Sequence, residues 1–209
     1  MQNYLLLIGT VALVHLLAAM SPGPDFFMAV RNSLAYSRKT GMWTAVGFGL
    51  GMGVHISYCA LGLAVIISKS ILLFSAIKFL GAGYLVYIGI KSFFSKSPHI
   101  EIKQEETKED ISALSAVKMG FLTNALNPKV TLFFLGLFTL VISPDIPKSV
   151  LLIVSLIMIV NTILWFSLVA VFFTQKRVRK VYERFEGVFS KFFGGLLILL
   201  GLKVALSKR

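Results

Sequence analysis

Among the ionisable side chains that lie within long apolar stretches of the sequence are Asp25, His55 and Lys129. Ionisable groups are costly inside apolar helices and usually mark a pathway for a solute or for protons. A carboxylate or an imidazole can take up and release a proton, and an ammonium group can pair with a carboxylate. These residue types therefore indicate either transport chemistry or, as the structural alternative, a static ion pair between Asp25 and Lys129.

Asp25 ends the segment Ser21-Pro22-Gly23-Pro24-Asp25, which interrupts the first apolar stretch. The two prolines remove two backbone donors and clash with the preceding helical turn, and Gly23 relaxes the chain between them. We predict that the helix breaks here and that a new helix starts with Ser21 as its N-cap and Pro22 at its first position. Asp25 would then lie in the first turn, where the helix dipole favours an anion.

Lys129 follows a matching break, Asn127-Pro128, in the middle of another apolar stretch. Asn is a good N-cap and Pro a good first helical residue, so a second helix should begin at this depth. A cation in the first turn is disfavoured by the dipole, and a cation near mid-membrane costs about 2.5–3.5 kcal/mol on insertion scales. An anionic partner is therefore expected for Lys129, either Asp25 or a substrate carboxylate.

The two broken helices are themselves the best pointer to a binding site. Their free backbone amides can hold a carboxylate and their freed carbonyls an ammonium, the pair of charges that a zwitterionic amino acid presents. His55, with an unperturbed pKa of about 6.5, could relay a proton or could be a neutral side chain bonded to a neighbouring helix. Asp25 and His55 are thus the two proton-coupling candidates. Asn161 could bind substrate or join helices, and His15 is interpreted as a packing or interfacial residue.

The elements that position these residues are membrane helices. The chain has 209 residues, of which 56% are hydrophobic and 14% charged, with a mean hydropathy of +0.83. Soluble domains have about 25% charged residues, so the bilayer is the expected solvent. Runs of about 20 apolar residues predict membrane-spanning helices. Six are present, at residues 4–30, 42–66, 71–90, 116–142, 149–173 and 187–206.

Lys and Arg predict the orientation of these helices. The connections after runs one, three and five contain fourteen basic residues, against five on the other side. Because cytoplasmic loops are enriched in Lys and Arg, we expect these three loops in the cytoplasm and both termini outside. The net charge of +12 is scattered among such loops and does not indicate nucleic-acid binding. The lone Cys59 predicts neither a disulfide nor a metal cluster.

The two halves of the sequence resemble each other. Pro24-Asp25 is matched by Pro128-Lys129 104 positions later, His55 by Asn161 106 later, and Gly83 of run three by Gly195 of run six 112 later. Three helices per half is an odd number, so the second half should be inverted in the membrane. We therefore predict a single all-α membrane domain, 1–209, with one three-helix repeat at 1–91, a cytoplasmic linker at 92–115 and the second repeat at 116–209.

Two motifs carry a family resemblance. Ser-Pro-Gly-Pro-Asp-Phe-Phe at 21–27 and Gly-Phe-Leu-Thr-Asn-Ala-Leu-Asn-Pro-Lys at 120–129 resemble the lysine exporter superfamily, and within it the homoserine and threonine exporter branch. The resemblance runs over nearly the whole chain except the 92–115 linker. The resemblance implies an amino-acid exporter of the bacterial inner membrane that is driven by the proton gradient. The predicted substrate path comprises Ser21, Pro22, Gly23, Pro24, Asp25, Asn124, Asn127, Pro128, Lys129 and Asn161.

The functional prediction is therefore a secondary transporter that exports threonine-like or homoserine-like amino acids, with protons as the coupling ion. No cofactor and no metal is expected, and the glycine-rich faces of runs two, three and six allow a homodimer. The alternatives are an exporter of another small metabolite, an intramembrane enzyme or a membrane scaffold. The enzyme is disfavoured because the sequence has no nucleophile–base motif and no metal-ligand spacing.

Overall fold

The computed structural model describes residues 4–94, 109–141 and 146–206, and within these ranges the regular structure is entirely α-helical. The predicted all-α class is therefore confirmed for this part of the chain. The helices of the described ranges are α1 Tyr4–Met20, α2 Pro24–Ala35, α3 Arg38–Lys69, α4 Ile71–Phe94, α5 Ala113–Ala125, α6 Pro128–Val141, α7 Lys148–Phe172 and α8 Lys176–Leu206.

The predicted breaks in runs one and four are confirmed. Run one is two helices, α1 and α2, which meet at a bend of 59°, and run four is two helices, α5 and α6, which meet at 57°. Both bends lie at the proline motifs, where a proline cannot donate the hydrogen bond that would continue the preceding helix. The two breaks thus bring non-helical backbone into the interior of the helix bundle.

Three helical segments in the described residues are long and apolar enough to cross a membrane by themselves, and the number rises to five if each bent pair is one span. The three single segments are Ser75–Phe94, Lys148–Phe172 and Gly187–Leu206. The remaining predicted span, run two, coincides with α3, which is not among these segments. A polytopic arrangement is consistent with these helices, whereas six spans stay a prediction.

The basic stretch after run five is not the loop that the sequence predicted. Residues from Lys176 onward form the first turns of α8, which continues without interruption into run six. The reason is amphipathic spacing, because Val178 and Tyr182 lie four residues apart and so share one helix face. Both pack against a cluster of buried side chains that includes Phe26 and Phe173, while Arg177 and Lys180 remain exposed.

Two apolar clusters form the core. The larger joins α1, α3, α4, α6, α7 and α8, and its centre includes Phe134 and Phe138, whose stacked rings lie 5.5 Å apart. The smaller joins α2, α3 and α7 through Phe26, Phe48 and Phe166. In contrast, many large apolar side chains on the outside of the bundle are strongly exposed. Such an extensive apolar exterior is typical of a lipid-facing surface.

Glycines set the closest helix crossings. Gly47 of α3 lies against the backbone of Gly120 in α5, and Gly89 of α4 lies against the backbone of Gly194 in α8. Close approach of two backbones at small residues is the usual packing mode of membrane helices. Much of the glycine-rich surface that was expected to allow a homodimer is therefore used inside the chain, and dimerisation stays a prediction.

Three of the connections lie at the same end of the bundle. The Arg38 Nε atom at the start of α3 donates a hydrogen bond of 2.8 Å to Thr174 Oγ1, between α7 and α8. Thr40 Oγ1 donates one of 3.0 Å to Asp110 Oδ1, just before α5. Most of the predicted 92–115 linker lies outside the described residues, but its last part is thus held against the start of α3.

Candidate functional site

A cavity lies where the break between α1 and α2 faces the start of α6. The volume in which the centre of a water-sized sphere can lie is about 50 Å³. One water molecule needs roughly 10–15 Å³ of the same measure, so the cavity has room for more than one. Aromatic rings of α2, α6 and α7 form much of the apolar wall. The polar part of the wall includes His15, Ser21, Asp25, Asn127, Lys129 and Thr162.

Asp25 lies in the first turn of α2 and is buried, with 6% of its surface exposed. Its two carboxylate oxygens accept hydrogen bonds from different residues of the second break: Oδ2 from Asn124 Nδ2 at 2.7 Å and Oδ1 from Asn127 Nδ2 at 3.1 Å. The sequence analysis expected Asp25 to face the second broken helix. The structure brings them together through two neutral amides.

Lys129 lies in the first turn of α6 and reaches back across the cavity to the first break. Its Nζ atom donates to the backbone carbonyls of Ser21 at 2.8 Å and Pro22 at 3.3 Å. These carbonyls follow the end of α1, where the helix dipole is negative, and they compensate the cation that the dipole of α6 disfavours. Within the described residues, Lys129 and Asp25 do not approach within the 4 Å of an ion pair, so the static pair considered from the sequence is absent there.

The first break differs in detail from the prediction. Gly23, rather than Ser21, is the N-cap of α2, and Pro24, rather than Pro22, is its first residue. The physical reason is that a residue preceding proline is pushed out of the helical region, and Gly23 has an extended backbone with φ −173° and ψ −173°. A helix therefore cannot run from Pro22 through Gly23 into Pro24, and it must begin after Gly23.

The second break has the predicted cap. α6 begins at Pro128, and the Oδ1 atom of Asn127 accepts a hydrogen bond of 3.0 Å from the backbone N–H of Lys129. The same side chain donates its amide to Asp25. Asn127 therefore uses one end of its side chain to start α6 and the other to hold the carboxylate, which links the geometry of the break directly to the site.

His55 lies behind Asp25 rather than on the cavity wall. Its Nε2 atom is 2.9 Å from the carbonyl oxygen of Asn124, and its Nδ1 atom is 2.7 Å from the Tyr58 hydroxyl. Because a carbonyl only accepts, Nε2 carries a proton and donates it to Asn124, and in the neutral ring Nδ1 accepts from Tyr58. His55 is thus a fully buried residue bonded to a neighbouring helix, and it reaches Asp25 only through Asn124.

Asn161 is one of the predicted site residues that do not line the cavity. Its Nδ2 atom donates a hydrogen bond of 3.2 Å to the backbone carbonyl of Ala12 in α1, so it joins α7 to α1. α7 lines the cavity instead with Phe166 and with the residue after Asn161, Thr162, which is fully buried. Pro24 and Pro128 are exposed on the outer side of their breaks.

His15 is a wall residue that the sequence analysis assigned to packing or to the interface. It is 2% exposed, so its side chain faces the interior of the bundle. A sequence signal was available: Ala18 and Ala19 follow His15 at spacings of three and four, so they share its helix face, and all three line the cavity. Small residues beside a buried polar group leave space that a solute can fill.

The arrangement suits binding of a small zwitterion. The cavity wall bears an acidic side chain and a basic side chain, each held by neutral groups and neither held by the other. In the described part of the chain, no three His, Cys, Asp or Glu side chains are grouped as they would be to hold a metal ion. The geometry therefore favours electrostatic recognition of a solute that carries both charges.

Comparison with known proteins gives matches over nearly the whole chain. A family model described as LysE type translocator matches residues 16–208. The chain is 32% identical to a threonine efflux protein of Salmonella typhi, over 98% of this chain and 100% of that protein, and equally similar to one of Escherichia coli. It is also 31% identical to an uncharacterized membrane protein of Bacillus subtilis, over 89% of this chain and 92% of that protein. No solved structure gives a significant match.

Proposed function

The chain belongs to the LysE type translocator family. On this basis we propose that it exports threonine-like or homoserine-like amino acids across the bacterial plasma membrane. It is a multi-pass membrane protein of a family of translocators rather than of enzymes. The names of the threonine efflux relatives support the amino-acid class of the substrate.

One observation carries this proposal: Asp25 and Lys129 lie on the wall of the same cavity at the two helix breaks. In the proposed complex, the substrate carboxylate approaches the Lys129 ammonium and the substrate ammonium approaches Asp25. In the absence of a solute, Asp25 and Lys129 are held by neutral groups. Each side chain therefore keeps its charge for an oppositely charged group of the substrate. Charge-assisted hydrogen bonds are roughly twice as strong as neutral ones, so a zwitterion is favoured over a neutral solute.

We also propose that the two halves are inverted repeats. The two bends of 59° and 57° support this assignment because they occur at corresponding places in the halves. The helix packing supports it too, since α3 packs on α7 and α4 packs on α8, which are the corresponding helices of the two repeats. A two-fold axis in the membrane plane would pass between such pairs.

The orientation proposed is the one that the basic residues favour, with both termini outside. The bonds from Arg38 to Thr174 and from Thr40 to Asp110 support a common side for the connections after runs one, three and five. These connections and the adjoining helix ends contain most of the Lys and Arg, and such segments are retained in the cytoplasm.

In the proposed transport cycle, the helices move relative to each other at the two breaks. α1 and α5 each end where α2 and α6 begin, and the Lys129 and Asp25 contacts cross between the two breaks. Binding of a zwitterion competes with these contacts, which allows the two halves to move relative to each other. Asp25 is the proposed proton carrier because it lies on the cavity wall, and His55 is the alternative one layer behind it.

The proposal is tested by efflux from cells that lack their own amino-acid exporters. Cells that express the protein are loaded with labelled threonine, homoserine and a panel of other amino acids, with and without a protonophore. We expect protein-dependent efflux of threonine or homoserine that the protonophore reduces. Lys129→Ala should reduce this efflux at least tenfold, because the cationic side chain of the cavity is removed.

Lys118→Ala is the matched control. Lys118 is exposed on α5, in the same broken pair of helices as Lys129, and does not line the cavity. It should retain wild-type efflux. If wild-type protein in the membrane moves no member of the panel, the amino-acid assignment is wrong, and if both lysine variants behave alike, the role given to Lys129 is wrong.

A further inference from the structure

His15 is a buried polar residue of the cavity that the contacts described above do not use. Its ring lines the cavity and is 2% exposed, and its Nδ1 atom has no hydrogen-bond partner among the described residues. Buried polar atoms in native proteins nearly always have a partner, so an exception needs an explanation. This atom is enclosed by protein atoms in the structure, and a rotation of the ring would turn it toward the cavity, where a solute is a partner that the isolated chain lacks.

The surroundings of His15 restrict the chemistry of that partner. The rings of Phe133 and Phe134 lie 6.3 Å and 5.9 Å from the imidazole, so this part of the wall is apolar. An ionised group would lose its hydration here without compensation. A hydroxyl group is neutral, and because it both donates and accepts, it pairs with an imidazole nitrogen in either tautomer.

The position of His15 along α1 separates it from the charged end of the cavity. It precedes Ser21 by six residues, which corresponds to about 9 Å along a helix axis. Thr162 of α7 lies on the same cavity wall and donates its hydroxyl to the carbonyl of Met158 at 3.0 Å, which leaves its oxygen free to accept. The cavity therefore has a charged end at the breaks and a neutral polar part at His15 and Thr162.

We propose that His15 is a specificity-determining residue that binds the side-chain hydroxyl of the transported amino acid. This inference rests on the proposed function, since it places the α-carboxylate and α-ammonium groups at Lys129 and Asp25 and directs the side chain toward α1. A substrate with a short hydroxylated side chain satisfies the imidazole nitrogen. The deoxy analogue leaves it without a partner.

Threonine and homoserine provide a sharp test because removing the hydroxyl from either gives the same compound, 2-aminobutyrate. Cells without their own exporters are loaded with an equimolar mixture of the three labelled amino acids, and the ratio of their efflux rates is measured. The ratio is internal to each cell population, so differences in expression cancel. The variants are His15→Met, which removes the hydrogen-bonding group, and His15→Gln, which keeps a donor and an acceptor.

The wild-type protein should export at least one of the hydroxy amino acids faster than 2-aminobutyrate. His15→Met should lower that preference by roughly 3- to 10-fold, the effect of losing one hydrogen bond, and His15→Gln should retain more of it. Leu13→Met is the matched control on α1, because Leu13 is 58% exposed on the outside of the bundle, and it should leave the preference unchanged.

Two outcomes overturn the inference while leaving the proposed function in place. In one, wild-type protein exports 2-aminobutyrate as fast as threonine and homoserine. In the other, His15→Met slows all three equally, which is the behaviour of a residue that only supports the fold. Absence of wild-type efflux for all three compounds contradicts the proposed function itself, and the role of His15 fails with it.

Discussion

Asp25 and Lys129 show how two charged side chains inside a helix bundle can be held without an ion pair between them. Asp25 accepts from two asparagine amides, and Lys129 donates to two backbone carbonyls. A direct buried ion pair would satisfy both groups but would also bind them to each other, and breaking it would be costly. Neutral partners are easier to exchange for a charged solute, so this arrangement is suited to repeated binding and release.

The first prediction at the residue scale concerns proton coupling. Asp25→Asn removes the ionisable group with little change in shape. Its amide nitrogen would, however, face the amide nitrogen of Asn124 or Asn127, and two donors cannot form a hydrogen bond with each other. In proteoliposomes, we expect uphill amino-acid transport driven by a pH gradient to fall at least tenfold. Exchange of internal for external substrate needs no net proton movement, so it should fall only as far as the loss of the charge-assisted contact to the substrate ammonium weakens binding.

His55→Gln is the companion variant for the same experiment. A glutamine amide can still donate to the Asn124 carbonyl, but it cannot carry a proton. If Asp25 is the coupling group, His55→Gln retains gradient-driven transport. Loss of gradient-driven transport in His55→Gln together with its retention in Asp25→Asn would reverse the assignment.

At the scale of elements, each break is made by proline together with a specific cap. At the first break, Gly23 is extended and its missing side chain leaves room for Lys129, whose Cδ and Nζ atoms would lie 3.3 Å from a Cβ atom at this position. At the second break, Asn127 caps α6 and also holds Asp25. The caps therefore differ because each also serves the side chains of the opposite break.

Close helix crossings keep the two breaks facing each other. Gly47 of α3 contacts α5 so closely that a Cβ atom there would lie 2.7 Å from the backbone nitrogen of Phe121 and 3.0 Å from the Cα atom of Gly120. Backbone atoms cannot rotate away as side-chain atoms can. Because α5 ends at the break and carries Asn124, a shift of α5 would also displace a donor to Asp25.

The corresponding prediction compares two glycines of α3. Gly47→Ala should destabilise the protein by about 1–3 kcal/mol, the usual effect of overpacking, whereas a Cβ atom at Gly53 meets no heavy atom within 4 Å. Gly53→Ala should be neutral or stabilise by up to about 1 kcal/mol through helix propensity. Thermal unfolding of the purified proteins in detergent measures the difference, and equal unfolding temperatures for the two variants would contradict the packing argument.

At the scale of the whole molecule, the exterior and the interior have opposite character. Long apolar helices expose Leu, Ile and Phe outward, and several of the buried polar residues, among them Asp25, Asn124 and Asn127, lie inside at the two breaks. In a soluble protein, such an apolar exterior would cause aggregation. In a bilayer, the apolar exterior faces lipid and the buried polar residues face the interior of the bundle. The bundle can therefore isolate a small polar cavity from lipid.

The prediction at this scale concerns orientation. Single cysteines at Ser112 and Lys148, both exposed, should lie on opposite sides of the membrane, with Ser112 in the cytoplasm. In intact cells, a membrane-impermeant thiol reagent should label Lys148→Cys and not Ser112→Cys, whereas a permeant reagent should label both.

The natural protein is the background control for this labelling, since its one cysteine, Cys59, is fully buried. It should remain unlabelled by the impermeant reagent. Labelling of Ser112→Cys alone would place both termini in the cytoplasm and would overturn the orientation. Labelling of both cysteines from outside would contradict the predicted number of crossings between them.

The broad character of this protein and the location of its two breaks follow from its sequence alone. Hydrophobic runs, proline motifs and misplaced charges are local or composition-level signals, and each has a physical meaning that does not depend on distant neighbours. The same applies to the Asn127 cap and to the expectation that the two breaks form the site. The first cap was placed wrongly because the effect of Pro24 on Gly23 outweighs the capping preference of Ser21.

The partners of the charged residues, and the side chains that reach the cavity, depend on the packing of helices that are distant in the sequence. Lys129 binds carbonyls of the other break, Asn161 joins two helices, and His15 lines the cavity. None of these facts follows from one helix, because a helix fixes which residues share a face but not which neighbour that face meets. Partner choice depends on how the bent helices cross, and the crossings depend on glycine contacts between residues far apart in the chain.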